Sequence, residues 1–482
     1  MGKQHMSRQH IAAIPATVDG RDLPTPDVFE VVNPATGKVF AHAPSVGVDQ
    51  LDHVFGTALR AFDSWKDDET ARRAALRAAA DRLESAAEEL APLLTAEQGK
   101  PLPHARDEIT RSAMWLRYFA ELDVAREIVR DDAEAYQEVV RRPLGVVTAI
   151  TPWNFPIMLA MWKIAPALRA GNTVVVKPSP HTPLTTLAMG RVLREVLPAG
   201  VLNVISGPEP LGAAAVAHPI PRKVSFTGST AVGRQVGIAA AADLKRVTLE
   251  LGGNDPAIVL DDVDIAAVAP SLFWSAFVNT GQVCLAAKRI YAHRSIHAEL
   301  VDAMAALAST VVVEDGALPG AQLGPLNNLP QYDRVTGLVD DAVRNGARVA
   351  FGGTPLDRDG YFYQPTVLCD VTDGIRVVDE EQFGPVMPIV AFDDEADAVR
   401  RANNSDYGLT ASVWSAEPER AYALAARIDS GQVTVNVHGG AVLPTLPFGG
   451  HKNSGIGVEN GLWGLHSYTD THVIAGPPRS RP

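Results

Sequence analysis

The chain has 482 residues, and at roughly 100–200 residues per domain this length predicts two or three domains. Its hydrophobic content of 46% and charged content of 21% are those of a globular protein, which argues against a disordered chain. With 43 basic and 56 acidic residues, the net charge of −13 opposes binding to nucleic acid or to an anionic membrane surface.

The N-terminal region is not typical of a targeting signal. Residues 1–10 are polar, and the short apolar stretch Ile11–Val18 is interrupted by Pro15. No window approaches the roughly 18 apolar residues of a membrane span. The two cysteines, Cys284 and Cys369, lack metal-type spacing, so neither a disulfide framework nor a metal site is expected. These features predict a cytoplasmic protein that does not enter a membrane.

Helical and strand-like patterns alternate along the first half. Residues 69–95 place apolar side chains at spacings of three and four, which predicts one amphipathic helix or two. Strand-like runs then occur at Val146–Ile150, Thr173–Lys177, Val201–Ile205, Lys223–Thr227 and Arg246–Leu251, with helical segments at 157–169, 183–197 and 231–242. This alternation indicates βαβ units in a parallel sheet, which binds ligands at the carboxyl ends of its strands.

The second half repeats the alternation and predicts a second α/β domain. Strand-like runs lie at 289–293, 387–392, 410–414 and 432–437, and helical runs at 295–310, 331–345 and 417–428. The paired glycines at 252–253 follow a predicted strand and mark the expected boundary between the two domains. The tail 476–482 is rich in proline, so no core element is expected there.

Two residues near this boundary carry groups suited to covalent catalysis. Cys284 follows Gly281, where a helical pattern gives way to a loop. A lone cysteine is more often a small buried hydrophobe, whereas an accessible thiolate is a nucleophile. Glu250 ends a predicted strand and is equally compatible with a solvated edge position and with a general base facing the crevice. The pattern alone leaves both questions open.

Three further segments offer binding groups at predicted strand ends. The turn at 226–230 lacks the full G-x-G-x-x-G pattern, so it is a weak dinucleotide motif, although its helix N-terminus suits a pyrophosphate. Lys177 is either a solvated surface group or a contact to a ribose or phosphate. In the segment 152–156, two prolines constrain a loop in which Asn154 is either a turn former or an oxyanion donor.

These segments resemble the aldehyde dehydrogenase family over about residues 30–470. The matching motifs, in the family's order, are PWNFP at 152–156, KPS at 177–179, FTGST at 226–230, ELGG at 250–253, GQVC at 281–284, EEQFGPV at 380–386 and PFGGHKNSGIG at 447–457. Seven ordered motifs make a chance resemblance negligible. The resemblance implies an α/β fold with a Rossmann-like cofactor domain, a second α/β catalytic domain and a small β oligomerisation arm.

The family fold also implies where these parts lie. The cofactor domain is expected at 1–122 and 144–252, the catalytic domain at 253–452, and the arm with the C-terminal tail at 123–143 and 453–482. Within the arm, Glu134–Arg142 and Ser467–Ile474 are compatible with strands. The arm implies a homodimer or a homotetramer.

The resemblance assigns roles to residues at the matching positions. Cys284 corresponds to the catalytic nucleophile, Glu250 to the general base, and Asn154 to the side chain that holds the oxyanion together with the backbone N–H of Cys284. The implied cofactor contacts are Lys177 and Glu381 to the two riboses, Gly228 and Ser229 beside the pyrophosphate, Phe383 near the nicotinamide, and Trp153, Ser179 and Gly252 elsewhere in the site.

The implied reaction is the oxidation of a small-molecule aldehyde to its carboxylic acid with NAD⁺, or with NADP⁺, through a cysteine thiohemiacetal and thioester. Many NAD⁺-preferring relatives carry a glutamate three residues after the lysine, where this chain has Pro180. NAD⁺ is still favoured here because no clear arginine replaces that glutamate. We expect the two cofactors to be discriminated by less than about 3 kcal/mol.

The substrate and the competing functions are less defined by sequence. Phe155, Trp162 and Phe448 suggest an apolar aldehyde tunnel by resemblance, although aromatic residues are more often plain core, and the entrance segment Val437–Leu443 cannot be decoded. The alternatives are an acylating dehydrogenase that uses coenzyme A, a thiol esterase without redox chemistry, and a non-catalytic binding protein. Glu250 argues against the first alternative, and the cofactor motifs argue against the second.

Overall fold

The computed structural model describes residues 13–124 and 126–479, in which strands and helices alternate. The strands are β1 (Ala16–Val18), β2 (Arg21–Leu23), β3 (Asp27–Asn33), β4 (Lys38–Ser45), β5 (Glu127–Asp131), β6 (Tyr136–Pro143), β7 (Val146–Ile150), β8 (Thr173–Lys177), β9 (Leu202–Val204), β10 (Lys223–Thr227), β11 (Arg246–Glu250), β12 (Asp255–Val259), β13 (Ala287–His293), β14 (Arg348–Phe351), β15 (Thr366–Cys369), β16 (Val386–Phe392), β17 (Tyr407–Gly408), β18 (Thr410–Trp414), β19 (Gln432–Val435), β20 (His451–Lys452), β21 (Gly455–Ile456) and β22 (Thr469–Gly476).

The helices lie between these strands and cover the sheets. They are α1 (Leu51–Trp65), α2 (Glu69–Ser85), α3 (Ala87–Gln98), α4 (Leu102–Glu121), α5 (Pro156–Ala170), α6 (Leu184–Leu193), α7 (Leu211–Ala217), α8 (Thr230–Ala242), α9 (Ile265–Phe277), α10 (Arg294–Thr310), α11 (Leu329–Arg344), α12 (Arg376–Asp379), α13 (Glu395–Asn403), α14 (Pro418–Ala425) and α15 (Gly461–His466). The helical pattern predicted at 69–95 is divided between α2 and α3, which meet at Ala86.

The first sheet has the strand order β2-β1-β9-β8-β7-β10-β11-β21. Strands β9, β8, β7, β10 and β11 run parallel, and β1 and β21 are antiparallel at the two sides. Nearly every residue of β7, β8 and β10 is buried, as expected for β-branched runs in a sheet with helices on both faces. The predicted parallel α/β sheet is confirmed.

The second sheet has the order β14-β15-β16-β13-β12-β18-β19 and is parallel except for β14. Its first strand in the chain, β12, begins five residues after β11 ends. The paired glycines at 252–253 therefore lie where the chain passes from one sheet to the other. This connection brings the carboxyl end of the first sheet close to the loop that precedes β13.

A third, smaller sheet lies outside these two. Strand β22 pairs with β6 over eight residues, from Thr469 opposite Pro143 to Gly476 opposite Tyr136, and β6 pairs with β5. The predicted strands 134–142 and 467–474 are therefore partners in one antiparallel sheet. Val129 and Val473, in its two outer strands, are both more than half exposed.

One part of the sequence prediction for this sheet is wrong. Residues 453–468 do not join it, because β21 forms backbone hydrogen bonds with the edge strand β11, opposite Leu249 and Glu250. Helix α15 then packs against α5. Pairing with β21 covers a sheet edge that is otherwise open, which accounts for the different partner.

None of the helices in the described ranges 13–124 and 126–479 is both long enough and apolar enough to cross a membrane.

Candidate active site

Two cavities meet at Cys284. The larger, here called the sheet-end cavity, has a volume of about 420 Å³ and lies beyond the carboxyl ends of β7, β10 and β11. The smaller, the inner cavity, measures about 240 Å³ and lies between α4, α5 and the Cys284 loop. Cys284, Asn154 and Leu159 line both cavities. The thiol is therefore accessible from two sides.

The loop that carries Cys284 has an unusual backbone. Residues 279–281 all have positive φ, at 53°, 58° and 70°, in the left-handed region that side chains with a Cβ rarely adopt. A Cβ at Gly281 would lie 2.1 Å from the carbonyl oxygen of Gly384, so only glycine fits. The buried ammonium of Lys288 donates a 2.7 Å hydrogen bond to the same carbonyl. These contacts bring the thiol to the end of a tightly held turn.

The surroundings of Cys284 favour its protonated form. Burial is the main cause of a raised pKa for this thiol, and the carboxylates of Asp255, Glu381 and Glu250 raise it further. The N–H of Leu285 acts in the opposite direction. Because the thiolate is the reactive species, attack by this residue requires a group that accepts the thiol proton.

Asn154 lies in the loop between β7 and α5. Its Nδ2 donates a 3.0 Å hydrogen bond to the carbonyl of Gln282, two residues before the thiol. A side-chain amide has two N–H groups, so the second can point toward a ligand in either cavity. The backbone carbonyl of Asn154 in turn accepts hydrogen bonds from Lys100 Nζ at 2.8 Å and from Asn279 Nδ2 at 3.2 Å.

A buried ion pair supports this loop. The side chains of Lys100 and Glu108 are each 1% exposed and bond directly to each other. Glu108 Oε1 also accepts hydrogen bonds from the N–H groups of Ile157 at 2.9 Å and Met158 at 3.2 Å, in the first turn of α5. A carboxylate satisfies such unpaired N–H groups well. The sequence analysis missed this pair, because eight residues of separation across Pro101 match no local pattern.

Glu250 ends β11 with a buried side chain. Neither of its carboxylate oxygens has a hydrogen-bond partner among the described residues. Burial raises the pKa of Glu250 well above its usual value, and the nearby charge of Glu459 adds to this, while Lys163 opposes it. A carboxylate with a raised pKa is a stronger base than an exposed one.

Lys163 and Glu459 were also missed by the sequence analysis. Lys163 Nζ bonds to Glu459 Oε1 at 2.6 Å and to Thr227 Oγ1 at 2.8 Å, and all three side chains are buried. A signal for Lys163 is present, since it is the only charged residue between Ile157 and Leu168 of an otherwise apolar helix. Glu459 lies almost 300 residues away, so the partner is visible only in the fold.

Most of the cofactor contacts expected from sequence line the sheet-end cavity. Those that do are Trp153, Gly228, Ser229, Gly252, Glu381 and Phe383. The rings of Trp153 and Phe383 meet edge to face at 5.3 Å. Ser229 caps α8, whose N-terminus lies at this cavity. Helix N-termini of this kind favour phosphate groups.

Glu381 has the character of a ligand-binding carboxyl. Its Oε1 accepts a 3.1 Å hydrogen bond from the N–H of Gly253, and burial raises its pKa to about 7. A Cβ at Gly252 would lie 2.3 Å from Glu381 Oε2, so this close approach requires glycine. The carboxyl is thus held at the cavity wall, where a hydroxyl donor such as a ribose fits.

Lys177 and Ser179 lie outside the sheet-end cavity. Lys177 lines a neighbouring cavity of about 270 Å³, here called the lysine cavity, together with Glu209 and the apolar side chains of Phe226 and Val236. Burial lowers the pKa of Lys177, and the charge of Glu209 opposes this. Ser179 lines none of these three cavities, and its hydroxyl accepts a hydrogen bond from the N–H of His181 instead. The predicted contact of Ser179 is not supported by this geometry.

The inner cavity contains part of the expected aldehyde tunnel. Phe155 and Trp162 line it, and Gly439 and Val442 from the undecoded entrance segment also reach it. Phe448 is not part of the wall. It is buried behind Trp162, with the two rings 5.1 Å apart, so its predicted place in the tunnel is corrected to core packing.

Comparison with known proteins identifies the family. The sequence model described as "Aldehyde dehydrogenase family" matches residues 23–474. The chain belongs to the aldehyde dehydrogenase family. It is 40% identical to a phenylacetaldehyde dehydrogenase of Pseudomonas fluorescens, with 92% of each chain covered. It is 37% identical to the NADP⁺ succinate-semialdehyde dehydrogenase of Escherichia coli, over 92% of this chain and 93% of that one.

Solved structures agree with this assignment. The NAD⁺ complex of an aldehyde dehydrogenase from Bacillus cereus has a TM-score of 0.94 and 35% identity, and the alignment covers 97% of each chain. As a member of this family, the 482-residue chain oxidises an aldehyde to the carboxylic acid with NAD(P)⁺ through a cysteine thiohemiacetal and thioester. The predicted function and cofactor class are confirmed, which sets aside the esterase and the non-catalytic alternatives.

Proposed function

We propose that Cys284 is the nucleophile, that Asn154 and the backbone N–H of Cys284 stabilise the oxyanion, and that Glu250 is the general base. The observation that carries this proposal is the position of Cys284 and Asn154 between the two cavities. An aldehyde in the inner cavity and a dinucleotide in the sheet-end cavity can then both reach the same sulfur.

The first step is addition of the Cys284 sulfur to the aldehyde carbon. The thiol proton passes to solvent water, the C–S bond forms, and the carbonyl oxygen becomes an alkoxide. The free N–H of Asn154 Nδ2 and the N–H of Cys284 stabilise this charge, and a donor of this kind contributes about 3 kcal/mol. Bound NAD(P)⁺ supplies the acceptor for the hydride that leaves the carbon. The carbon is oxidised to a thioester.

The second step is hydrolysis of this thioester. Glu250 removes a proton from water as the oxygen attacks the acyl carbon, and the C–S bond breaks to release the carboxylic acid and return the thiol. The raised pKa of Glu250 supports this role. Its presence also favours water over coenzyme A as the acyl acceptor, which disfavours the acylating alternative.

The sheet-end and lysine cavities fit the two halves of a dinucleotide. Glu381 is positioned to accept hydroxyl donors from one ribose, Gly228 and Ser229 border the place of the pyrophosphate at the N-terminus of α8, and Trp153, Gly252 and Phe383 complete the wall. Lys177 and Glu209 border the apolar lysine cavity, which suits the adenosine half. We propose NAD⁺ as the preferred cofactor, because Glu209 places a negative charge next to Lys177, and this charge repels the additional phosphate of NADP⁺.

The assembly and the domain limits belong to the same proposal. We infer a homodimer or homotetramer joined through the β5–β6–β22 sheet, supported by the exposed apolar side chains of its outer strands. The proposed domains are 13–122 with 144–252 for the cofactor, 253–452 for catalysis, and 123–143 with 469–479 for the arm.

Replacing each cysteine in turn tests the nucleophile. Cys284→Ala is expected to abolish NADH formation from an aldehyde, because no other group can form the thioester. Cys369→Ala is the matched control: its side chain is fully buried in β15 and donates only a long contact to the carbonyl of Arg348. Loss of turnover in folded Cys369→Ala together with retained turnover in Cys284→Ala would contradict the proposal.

A further inference from the structure

The wall of the inner cavity is mostly apolar. Phe155, Met158 and Trp162 of the α5 region face it on one side, and Val283 and Val442 on the other. Its volume of about 240 Å³ exceeds the roughly 150 Å³ that holds a benzene molecule in an apolar cavity. One aromatic ring or a short alkyl chain therefore fits between the entrance and Cys284.

The positive charge of Lys100, which lines this cavity, is already fully paired with other groups of the protein. Lys100 Nζ bonds to Glu108, donates to the carbonyl of Asn154 at 2.8 Å, and lies 3.9 Å above the centre of the Phe155 ring. Turning this ammonium toward a ligand would leave the buried carboxylate of Glu108 without its counter-charge. Breaking a buried pair in this way is strongly unfavourable. Lys100 is therefore not available to a substrate carboxylate.

The remaining polar groups at the mouth are also balanced. Arg111 lies one helical turn from Asp107 on α4, with 3.6 Å between the guanidinium and the carboxylate. Burial lowers the pKa of His104 and the charge of Lys100 adds to this, while the charge of Asp107 opposes it, so the net shift favours the neutral imidazole. The charged side chains that line the cavity are thus two basic ones, Lys100 and Arg111, and two acidic ones, Asp107 and Glu108.

We propose that this cavity selects aldehydes with an uncharged aryl or alkyl tail and rejects semialdehydes that end in a carboxylate. The inference rests on the proposed function, because it requires the aldehyde tail to occupy the inner cavity. A carboxylate transferred from water into this wall loses its hydration without gaining an unpaired cation. An apolar tail gains free energy from the same transfer.

The similarity to known proteins does not make this choice. The relatives include both a phenylacetaldehyde dehydrogenase and succinate-semialdehyde dehydrogenases at nearly equal identity. The difference between these substrates lies at the end far from the reacting carbon. The proposed choice between them therefore rests on the side chains that line the inner cavity.

The experiment compares kcat/KM for phenylacetaldehyde and hexanal with kcat/KM for succinic and glutaric semialdehydes. We expect the uncharged aldehydes to be favoured by at least about a hundredfold, the effect of leaving one charge desolvated and unpaired. A ratio within tenfold, or a preference for the semialdehydes, would overturn the inference while the aldehyde oxidation itself stands. Absence of NADH with all four aldehydes would overturn the proposed function as well.

A charge variant tests the cause. Asp107→Asn removes the partner of Arg111, so the ratio of the two kcat/KM values is expected to shift toward the semialdehydes by about fivefold, as for one exposed ionic contact of about 1 kcal/mol. Because a ratio is measured, any loss common to both substrates cancels. Asp63→Asn, which breaks a similar local pair with Lys66 at the C-terminal end of α1, is the matched control and should leave the ratio unchanged. An equal shift in both variants would contradict the role of Arg111.

Discussion

Cys284, the proposed nucleophile, carries a proton that its surroundings make hard to remove. Burial and three carboxylates raise the pKa of the thiol, which favours its protonated form. Glu250, whose pKa is raised by burial and by Glu459, is the proposed base for the hydrolysis step. The carboxylate of the proposed base, Glu250, is thus itself one of the charges that raise the pKa of the proposed nucleophile.

Glu250→Gln separates the two chemical steps. Removing the base leaves sulfur addition and hydride departure possible but blocks hydrolysis, so the thioester accumulates. We expect a stoichiometric burst of NADH followed by a steady rate at least about a hundredfold below wild type, in rapid-mixing measurements. Mass spectrometry should find the acyl group on the Cys284 peptide. Without a burst in a variant that still binds cofactor, Glu250 would instead be required to deprotonate the thiol.

The same assignment predicts a pH dependence for the wild type. The active form of Glu250 is the carboxylate, and its pKa is raised, so the rate of hydrolysis increases as the pH rises through that pKa. Below it, the thioester is formed faster than it is hydrolysed, and a burst should appear in the unmodified enzyme. An invariant burst amplitude across the pH range would count against Glu250 as the base.

Glu209 is expected to influence the choice of cofactor. A Cβ built on Gly212 lies 3.0 Å from Glu209 Oε1 and 3.6 Å from Lys177 Cε, so the two charged side chains flank one point of the lysine cavity. The chain has Pro180 where a repulsive glutamate is common, and Glu209 supplies a carboxylate from another loop. Glu209→Gln should raise the affinity for NADP⁺ relative to NAD⁺ by about tenfold, from the loss of charge repulsion in a solvated cavity.

Calorimetric dissociation constants for both cofactors would measure this effect without turnover. Glu195→Gln, a surface carboxylate paired with Arg82, serves as the control. If the two variants shift the ratio equally, or if wild type discriminates by more than several hundredfold, the argument from Glu209 and Pro180 fails.

Residues with local motifs were accessible from sequence, and those with distant partners were not. Glu250 and Asn154 stand in recognisable segments at or just after the carboxyl ends of strands, where ligand sites of parallel sheets occur, and Cys284 stands in a recognisable segment before β13. Lys100, Lys163 and Glu459 act through contacts between segments up to 296 residues apart, which periodicity does not encode. The position of Ser179 outside the three cavities has the same origin, since a motif does not determine which way its last side chain turns.

At the scale of elements, the loop 279–281 depends on its backbone more than on its side chains. Gly281→Ala places a Cβ 2.1 Å from the carbonyl of Gly384 at a φ of 70°. We expect the free energy of unfolding to fall by at least about 1–2 kcal/mol, the cost of a left-handed alanine, with the clash in addition. The displaced thiol should also lower kcat. Denaturant unfolding and steady-state kinetics measure the two effects.

The matched control for this substitution is Gly337→Ala. Gly337 lies inside α11 with open space around its Cβ position, so alanine there should leave activity unchanged and stabilise the helix by up to about 1 kcal/mol. Equal effects of the two substitutions would show that the backbone of the loop 279–281 does not require glycine at position 281.

The elements themselves followed closely from the sequence pattern. Strands β7, β8, β10 and β18 have the predicted limits, because short β-branched runs bounded by turns identify buried parallel strands well. The two-residue strand β21 was not predicted, since so short a run has no periodicity, and its place beside β11 depends on a chain segment about 200 residues away.

At the scale of the whole molecule, assembly is expected to depend on the β5–β6–β22 sheet. Val473→Asp places a charge on an apolar side chain that is 62% exposed in the single chain, and it should shift the enzyme to a smaller assembly if that face is covered by another copy. Light scattering after gel filtration measures the mass. Val28→Asp, at the same 62% exposure in β3, is the control and should not change it.

The sheet-end cavity and the inner cavity reach Cys284 separately, so the two ligands do not have to share one entrance. In the proposed arrangement, the dinucleotide occupies the cavity at the carboxyl edge of the first sheet, and the aldehyde reaches Cys284 through the cavity lined by Val442 and Gly439. Binding of one ligand therefore does not block access of the other. We expect the acid to leave while the dinucleotide is still bound. An aryl inhibitor that fills the inner cavity should therefore slow the exchange of aldehyde and acid and leave the exchange of cofactor unchanged.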